Sequence, residues 1–280
     1  MLLLVAMAMT AAAQRDDLLG RGEVLLAGGG MNYLGDLNNQ SAFGTPHLAF
    51  GLGLRERIDN RWAVRVELGY GNVSCEKDYI VRRNLSFRSS IYEGSVVFEF
   101  NFRPYGPGAT ESVWTPYIFG GVGAFHFNPE ASYIDADGNL QWAALQPLCT
   151  EGQGTPDHLD RKTYALFQLC MPFGVGVKWR LGKTVSFTAE YGFRKTWTDY
   201  LDDVSTTYVG SECLTTYVDN GELAAQLADR SGEVEEGYVN APGIKRGDSS
   251  LDDWYACFHI TMGISLESLF GWMRPKRCKL

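Results

Sequence analysis

Hydrophobic and polar positions alternate with a period of two through much of the chain. One run sets Tyr92, Val96, Phe98, Phe100 and Phe102 against Glu93, Ser95, Glu99, Asn101 and Arg103. A second sets Trp62, Val64, Val66, Leu68 and Tyr70 against Arg61, Ala63, Arg65, Glu67 and Gly69. Two more follow: Val185 to Phe193 against Thr184 to Arg194, and Ala256 to Leu266 against Cys257 to Glu267. Such alternation puts all apolar side chains on one face of a strand. It predicts an all-β protein of eight strands over 23–32, 47–57, 61–74, 89–103, 114–127, 169–181, 184–196 and 254–269. Most reach the nine to eleven residues with which a tilted strand crosses a bilayer.

The predicted connections sort by length. After strands two, four and six they are short: Asp59-Asn60, Pro104–Val113 and Gly182-Lys183. After strands three, five and seven they are long, over 75–88, 128–168 and 197–253, and the first, over 33–46, is intermediate. Transmembrane barrels of bacterial outer membranes have short periplasmic turns and long external loops. The pattern predicts an eight-stranded antiparallel transmembrane β-barrel with long external loops and both termini in the periplasm.

The two faces differ in chemistry. One is apolar and crowded with rings; the other carries Arg65, Glu67, Glu93, Glu99, Arg103, Lys178, Arg180, Glu190, Arg194 and Glu267. Eight strands enclose an interior only just wide enough for side chains. Bulky rings would overfill it, whereas paired Arg, Lys and Glu beside Gly69, Gly174, Gly176 and Gly192 would fit. The apolar face is therefore expected toward lipid. The ion-pair candidates Arg65, Glu67, Glu93, Glu99, Lys178, Glu190, Arg194 and Glu267 are expected to plug the lumen, since an unpaired buried charge is costly.

Composition agrees with this picture. Charged residues make up 21% and aromatics 13% of 280 residues, with 32 glycines, a foldable composition. The net charge of −8 argues against a nucleic-acid partner. The run from Met1 through Ala13 is an apolar core ending in Ala11-Ala12-Ala13, read as a signal peptide over 1–13, with an upstream start expected because no basic residues precede it. A buried N-terminal helix is the alternative, and the run is too short to span a bilayer. The barrel is then expected over 14–270 and a basic tail over 271–280, where Arg274, Lys276, Arg277 and Lys279 stand without an acid. The tail is read as a solvated end, a headgroup anchor or a partner-docking peptide.

Candidate chemistry is sparse. Of His47, His126, His158 and His259, none falls in a recognisable catalytic pattern, and His126 and His259 are expected on the lumen face. The acidic run Asp199, Asp202 and Asp203 is expected at the external rim beside Asp252-Asp253, as a network braced by cations and not a metal site. Six cysteines, Cys75, Cys149, Cys170, Cys213, Cys257 and Cys278, lack zinc spacing. Cys149 and Cys213 are candidates to bridge the two longest loops, and the pairing stays open. No cofactor, metal or small-molecule substrate is expected, and no enzymatic activity.

Three segments resemble the PorG-like family of small outer-membrane barrels associated with type IX secretion: Thr115 to Phe125, Pro172 to Lys178, and Glu190 to Ser205. The third is the more specific, because it joins a strand end to the acidic rim. The resemblance covers roughly 20–270 and is densest over 114–209. It implies a non-enzymatic role, tying a periplasmic ring of PorK-like and PorN-like proteins to the outer membrane. Other roles for such a barrel are ligand binding or adhesion through the external loops, or lipid modification. A plugged lumen speaks against a diffusion pore.

Overall fold

The computed structural model describes residues 21–38, 46–76, 78, 80–107 and 111–270. The segment read as a signal peptide, the basic tail with Arg274, Lys276, Arg277 and Lys279, and Cys278 lie outside the described residues. Among the described residues ten strands form: β1 (Gly22–Leu34), β2 (His47–Arg57), β3 (Trp62–Cys75), β4 (Phe87–Asn101), β5 (Trp114–His126), β6 (Pro129–Ile134), β7 (Leu140–Ala144), β8 (Phe167–Leu181), β9 (Val185–Thr196) and β10 (Trp254–Ser265). Three short helices accompany them: α1 (Ser211–Tyr217), α2 (Gly221–Ala228) and α3 (Leu266–Phe270). No described helix is long and apolar enough to cross a membrane.

Eight strands close on themselves in antiparallel register. The ladder runs β3-β2-β1-β10-β9-β8-β5-β4, and pairing of β3 with β4 shuts it, Trp62 opposite Phe100 and Cys75 opposite Phe87. Closure removes the unpaired sheet edges that would be untenable in hydrocarbon. Glu23 pairs with Ser265, so the first and last strands meet at the end that carries the tight turns. All eight predicted wall strands are present with small shifts at their ends. The hairpin β6–β7 is an addition, projecting beyond the wall where Arg88 pairs with Glu130.

The outward face is a continuous apolar belt. Leu48, Phe50, Leu52, Val66, Leu68, Phe98, Val122, Leu169 and Val175 are all exposed. Trp62 to Tyr70 covers nine residues of β3, about 27 Å along the strand. Rings collect at both borders of the belt: Trp62 and Phe100 lie 4.9 Å apart at one, and Tyr70 and Tyr92 lie 5.0 Å apart at the other. Arg103 stacks over Trp114 at 3.9 Å, beside the first border. An apolar band with an aromatic girdle at each edge is a lipid-facing surface. The molecule is a transmembrane barrel.

The interior has two tiers. The half nearest the short turns holds the charges. The other half is an apolar cluster in which Met31, Tyr33, Phe87, Ile91, Phe125 and Tyr255 are fully buried. This corrects the expectation that rings would be kept outside. Room comes from glycine: a Cβ on Gly192 or Gly174 would lie 2.6 Å or 2.8 Å from the ring tip of Phe119, and one on Gly176 2.6 Å from Tyr117. The apolar cluster continues out of the wall into the long loops through Phe127, Leu148, Tyr164, Leu201, Leu214, Ala224 and Leu227. Those loops fold into a cap that includes α1 and α2.

Candidate functional site

The lumen network begins with Glu99, which is fully buried and meets three cations. Its carboxylate lies 2.6 Å from Lys178, 2.9 Å from Arg55 and 3.3 Å from Arg65. Arg65 then forms a two-pronged pair with Glu190 at 2.8 Å and 3.2 Å, and its Nε lies 3.3 Å from Glu67. Tyr117 donates to Glu190 at 2.5 Å. Higher up, Arg194 meets Glu93 at 3.2 Å, and Tyr255 donates to the same carboxylate at 3.0 Å. His259 stands 3.8 Å from Glu190 and 4.0 Å from Glu67. Two-pronged guanidinium–carboxylate pairs and shared acceptors are the geometry in which buried ions are tolerated.

Arg65, Glu67, Glu93, Glu99, Lys178, Glu190 and Arg194 therefore meet inside the barrel. Glu267 does not: β10 ends at Ser265, and Glu267 sits exposed in α3 beyond the wall. The alternation continues one turn past the last ladder pair, which is why the sequence misplaced it. Arg103 is exposed at the rim, on Trp114. Arg55 and its partner Glu23, 2.9 Å away, were missed. The signal was present, because Leu48, Phe50, Leu52 and Leu54 alternate with Ala49, Gly51, Gly53 and Arg55.

The histidines do not converge. His259 is buried in the lumen, whereas His126 points outward and is exposed, with its ring 6.4 Å from that of Tyr92. Both faces of β5 are apolar or glycine, so its parity is not readable from polarity. Cys149, Cys170, Cys213 and Cys257 are free thiols, and Cys149 is not bridged to Cys213. Among the described residues, no group of three or more His, Cys, Asp or Glu side chains has metal-binding geometry.

The acidic rim is a buried junction between wall and cap. Asp202 accepts from Tyr33 of β1 through one oxygen and from the Val204 amide at 2.9 Å through the other. Asp253 accepts from the Leu201 amide at 2.9 Å and lies 3.1 Å from the same Tyr33 hydroxyl. A phenol has one proton to donate, so the second carboxyl is best satisfied by carrying its own. Burial pushes Asp202 up to about 8 and Asp199 to about 9, and holds Asp253 well above the usual carboxylate range. Asp203 is raised less, to about 6: burial is the larger influence and Arg246 opposes it. Its oxygens accept from Thr150 at 2.5 Å and Tyr164 at 2.8 Å.

The bracing cations are Arg246 and Arg83. Arg246 donates to Glu151 at 3.0 Å and to the Asp203 carbonyl at 2.5 Å. Glu151 also accepts from the Ser205 amide at 2.9 Å and the Thr206 hydroxyl at 2.6 Å. Arg83 grips Asp78 at 2.8 Å and donates to the carbonyls of Arg246 at 2.6 Å and Asp36 at 2.7 Å. Four loops are thereby tied into one cap.

These features define a filled transmembrane β-barrel under a folded loop cap. The chain belongs to the family described as "Domain of unknown function (DUF6089)", whose model matches residues 1–146. No curated protein matches the sequence. Among solved structures, the chain is similar to Neisserial surface protein A, at 9% identity over 87% of this chain and 96% of that one, with a TM-score of 0.42. Ail, the attachment invasion locus protein of Yersinia pestis, shares 8% identity over 88% of this chain and 97% of its own, with a TM-score of 0.40. OprG from Pseudomonas aeruginosa shares 12% over 89% and 98%, with a TM-score of 0.38.

Proposed function

We propose that the barrel is a non-enzymatic component of the bacterial outer membrane, with its short-turn end and both termini in the periplasm. In this reading it anchors the periplasmic ring of a type IX-like secretion complex, built of PorK-like and PorN-like proteins. The observation that carries it is the filled lumen: ions fill one half and rings the other, so the barrel acts through its rims. The short-turn rim presents Arg21, Arg57, Arg61, Arg103 and Lys183 against Glu56, Asp59, Glu111 and Glu267. Such a surface suits an acidic protein face beside lipid headgroups. The link to secretion comes from the PorG-like resemblance of the strand segments.

A second reading is ligand binding or adhesion through the external loops, favoured by the cap's ordered, ion-clamped fold. Co-purification from detergent-solubilised membranes separates the two. Deleting Arg274–Leu280 is expected to leave the barrel inserted while lowering recovery of ring proteins and secretion. Loss of ring binding only when the loop over 208–253 is shortened, with the tail deletion silent, would move the function outside.

A further inference from the structure

At the cap end, three neighbouring strands change their outward chemistry at one level. On β3 the lipid-facing series Trp62 to Tyr70 gives way to Asn72 and Ser74. On β4 the series from Phe98 to Tyr92 gives way to Ser90 and Arg88. The β5 series, ending at Val122, passes through His126 and Asn128 into Glu130 and Ser132 of β6. The hairpin β6–β7 leaves the wall here and forms the far side of a groove of about 860 Å³, within the range of ligand sites. The groove thus opens just beyond the apolar belt, on the side of the long loops.

The lining has a defined chemistry. Its one arginine is already engaged: Arg88 lies 2.9 Å from Glu130 and 3.5 Å above the ring of Trp142. Among the described lining residues, that leaves no unpaired Arg or Lys to hold a phosphate or sulfate. Hydroxyls and amides dominate the rest, and they are organised. Ser90 donates to Asn72 at 2.9 Å, and Ser74 and His47 share a hydrogen bond of 2.6 Å. Groups of this kind both donate and accept, as the hydroxyls of a ligand do. Two rings complete the surface, Tyr92 at 57% and Trp142 at 41% exposed. The negative face of an aromatic ring attracts the polarised C–H bonds on one side of a sugar ring. An acyl chain would leave the polar lining without partners.

We infer that this groove binds a neutral saccharide, with the sugar stacked on Tyr92 or on the face of Trp142 that Arg88 does not cover, and its hydroxyls shared with Asn72, Ser90, Asn128 and Ser132. This departs from the expectation that no small molecule is recognised, and it does not draw on the anchoring role. The saccharide is either the glycan portion of a lipid in the same leaflet or a free glycan at the cell surface.

The test uses the detergent-solubilised full chain and three probes from the same cells: intact lipopolysaccharide, the polysaccharide released from it by mild acid, and the remaining lipid A. Titration calorimetry and tryptophan fluorescence report binding. The released polysaccharide is expected to bind with little change between low and high salt, because the contacts are hydroxyls and a ring and not ion pairs. Trp142→Ala, which removes the platform, and Ser132→Trp, which crowds the groove beside it, are each expected to weaken binding on the order of tenfold, about 1.4 kcal/mol. Both should leave the thermal unfolding of the barrel unchanged. Competition by intact lipopolysaccharide identifies the lipid-linked source; polysaccharide binding without competition identifies a free glycan. Binding of lipid A alone, binding of no probe, or equal binding by wild type and both variants would overturn the inference.

Discussion

Lys178 and Glu99, 79 residues apart in the chain, meet at 2.6 Å inside the barrel, in the half nearest the short turns, with at most 1% of either side chain exposed. The pair links β4 to β8 across the interior. Asn101 accepts a second bond from the same ammonium at 2.9 Å, so the charge is held by a carboxylate and an amide together.

From this follows an order of mutational cost. Glu99 serves Lys178, Arg55 and Arg65, so Glu99→Leu leaves three buried cations short of a partner. Arg194→Leu leaves Glu93 still bonded to Tyr255. Breaking a buried pair from one side costs about 3–5 kcal/mol, and Glu99→Leu is expected at the upper end with Arg194→Leu below it. Urea unfolding midpoints in lipid vesicles check the order. Unchanged midpoints for both would remove the ion plug from the account.

The junction of wall and cap is expected to weaken as pH rises. Asp199, Asp202 and Asp203 have folded-state values of about 9, 8 and 6 against roughly 3.9 when unfolded. The folded cap therefore binds more protons than the open one over roughly pH 4 to 9, and stability falls as pH climbs through that window. Limited proteolysis of the loop over 197–253 should be slower at pH 5.5 than at pH 9. Asp202→Asn should flatten the dependence. A cap equally resistant at both pH values, with and without the substitution, would contradict this.

Arg246 is expected to be the cap's main clamp. Replacing it with Met leaves the buried Glu151 without its guanidinium and removes a bond to the Asp203 carbonyl. The cost is again about 3–5 kcal/mol, confined to the cap. Hydrogen exchange should speed up over 197–253 while β1 through β5 keep their protection. Loss of protection throughout the wall would mean that cap and barrel unfold as one.

Orientation is open to a direct measurement. Glu222→Cys in α2 and Asp137→Cys in the β6–β7 turn are exposed at the cap end, and Lys183→Cys is exposed at the short-turn end. An impermeant maleimide on whole cells is expected to label the first two above the background of the unsubstituted chain, and not the third. Labelling of Lys183→Cys alone would invert the barrel.

The strands were readable because β3, β4, β9 and β10 set large apolar residues against charged, polar or small ones at most steps. On β2 the inward positions before Arg55 are Ala49, Gly51 and Gly53, whose small side chains carry little signal, and Arg55 was lost with them. On β5 the stretch Gly120-Gly121-Val122-Gly123-Ala124 has no polar face at all, so His126 was put on the wrong side. Glycine is also why the ring estimate failed. Tyr117 and Phe119 occupy volume released by Gly174, Gly176 and Gly192 on neighbouring strands, a trade between strands that no single strand reveals. The groove depends on a hairpin of two short strands, β6 and β7, too brief to stand out by periodicity.

The continuity of the apolar interior has a consequence for biogenesis. Phe125 in the wall packs on Phe127 at 5.5 Å, Phe127 stacks on Tyr164 at 6.0 Å, and Tyr164 stacks on Tyr200 at 4.8 Å. Tyr33 of the first strand is fastened to Asp202, which follows the penultimate wall strand, and Asp253, which precedes the last. The cap's floor is complete only when the two ends of the sheet have come together. If the cap faces outward as proposed, an antibody or phage that recognises its finished form would register the moment at which the wall has sealed.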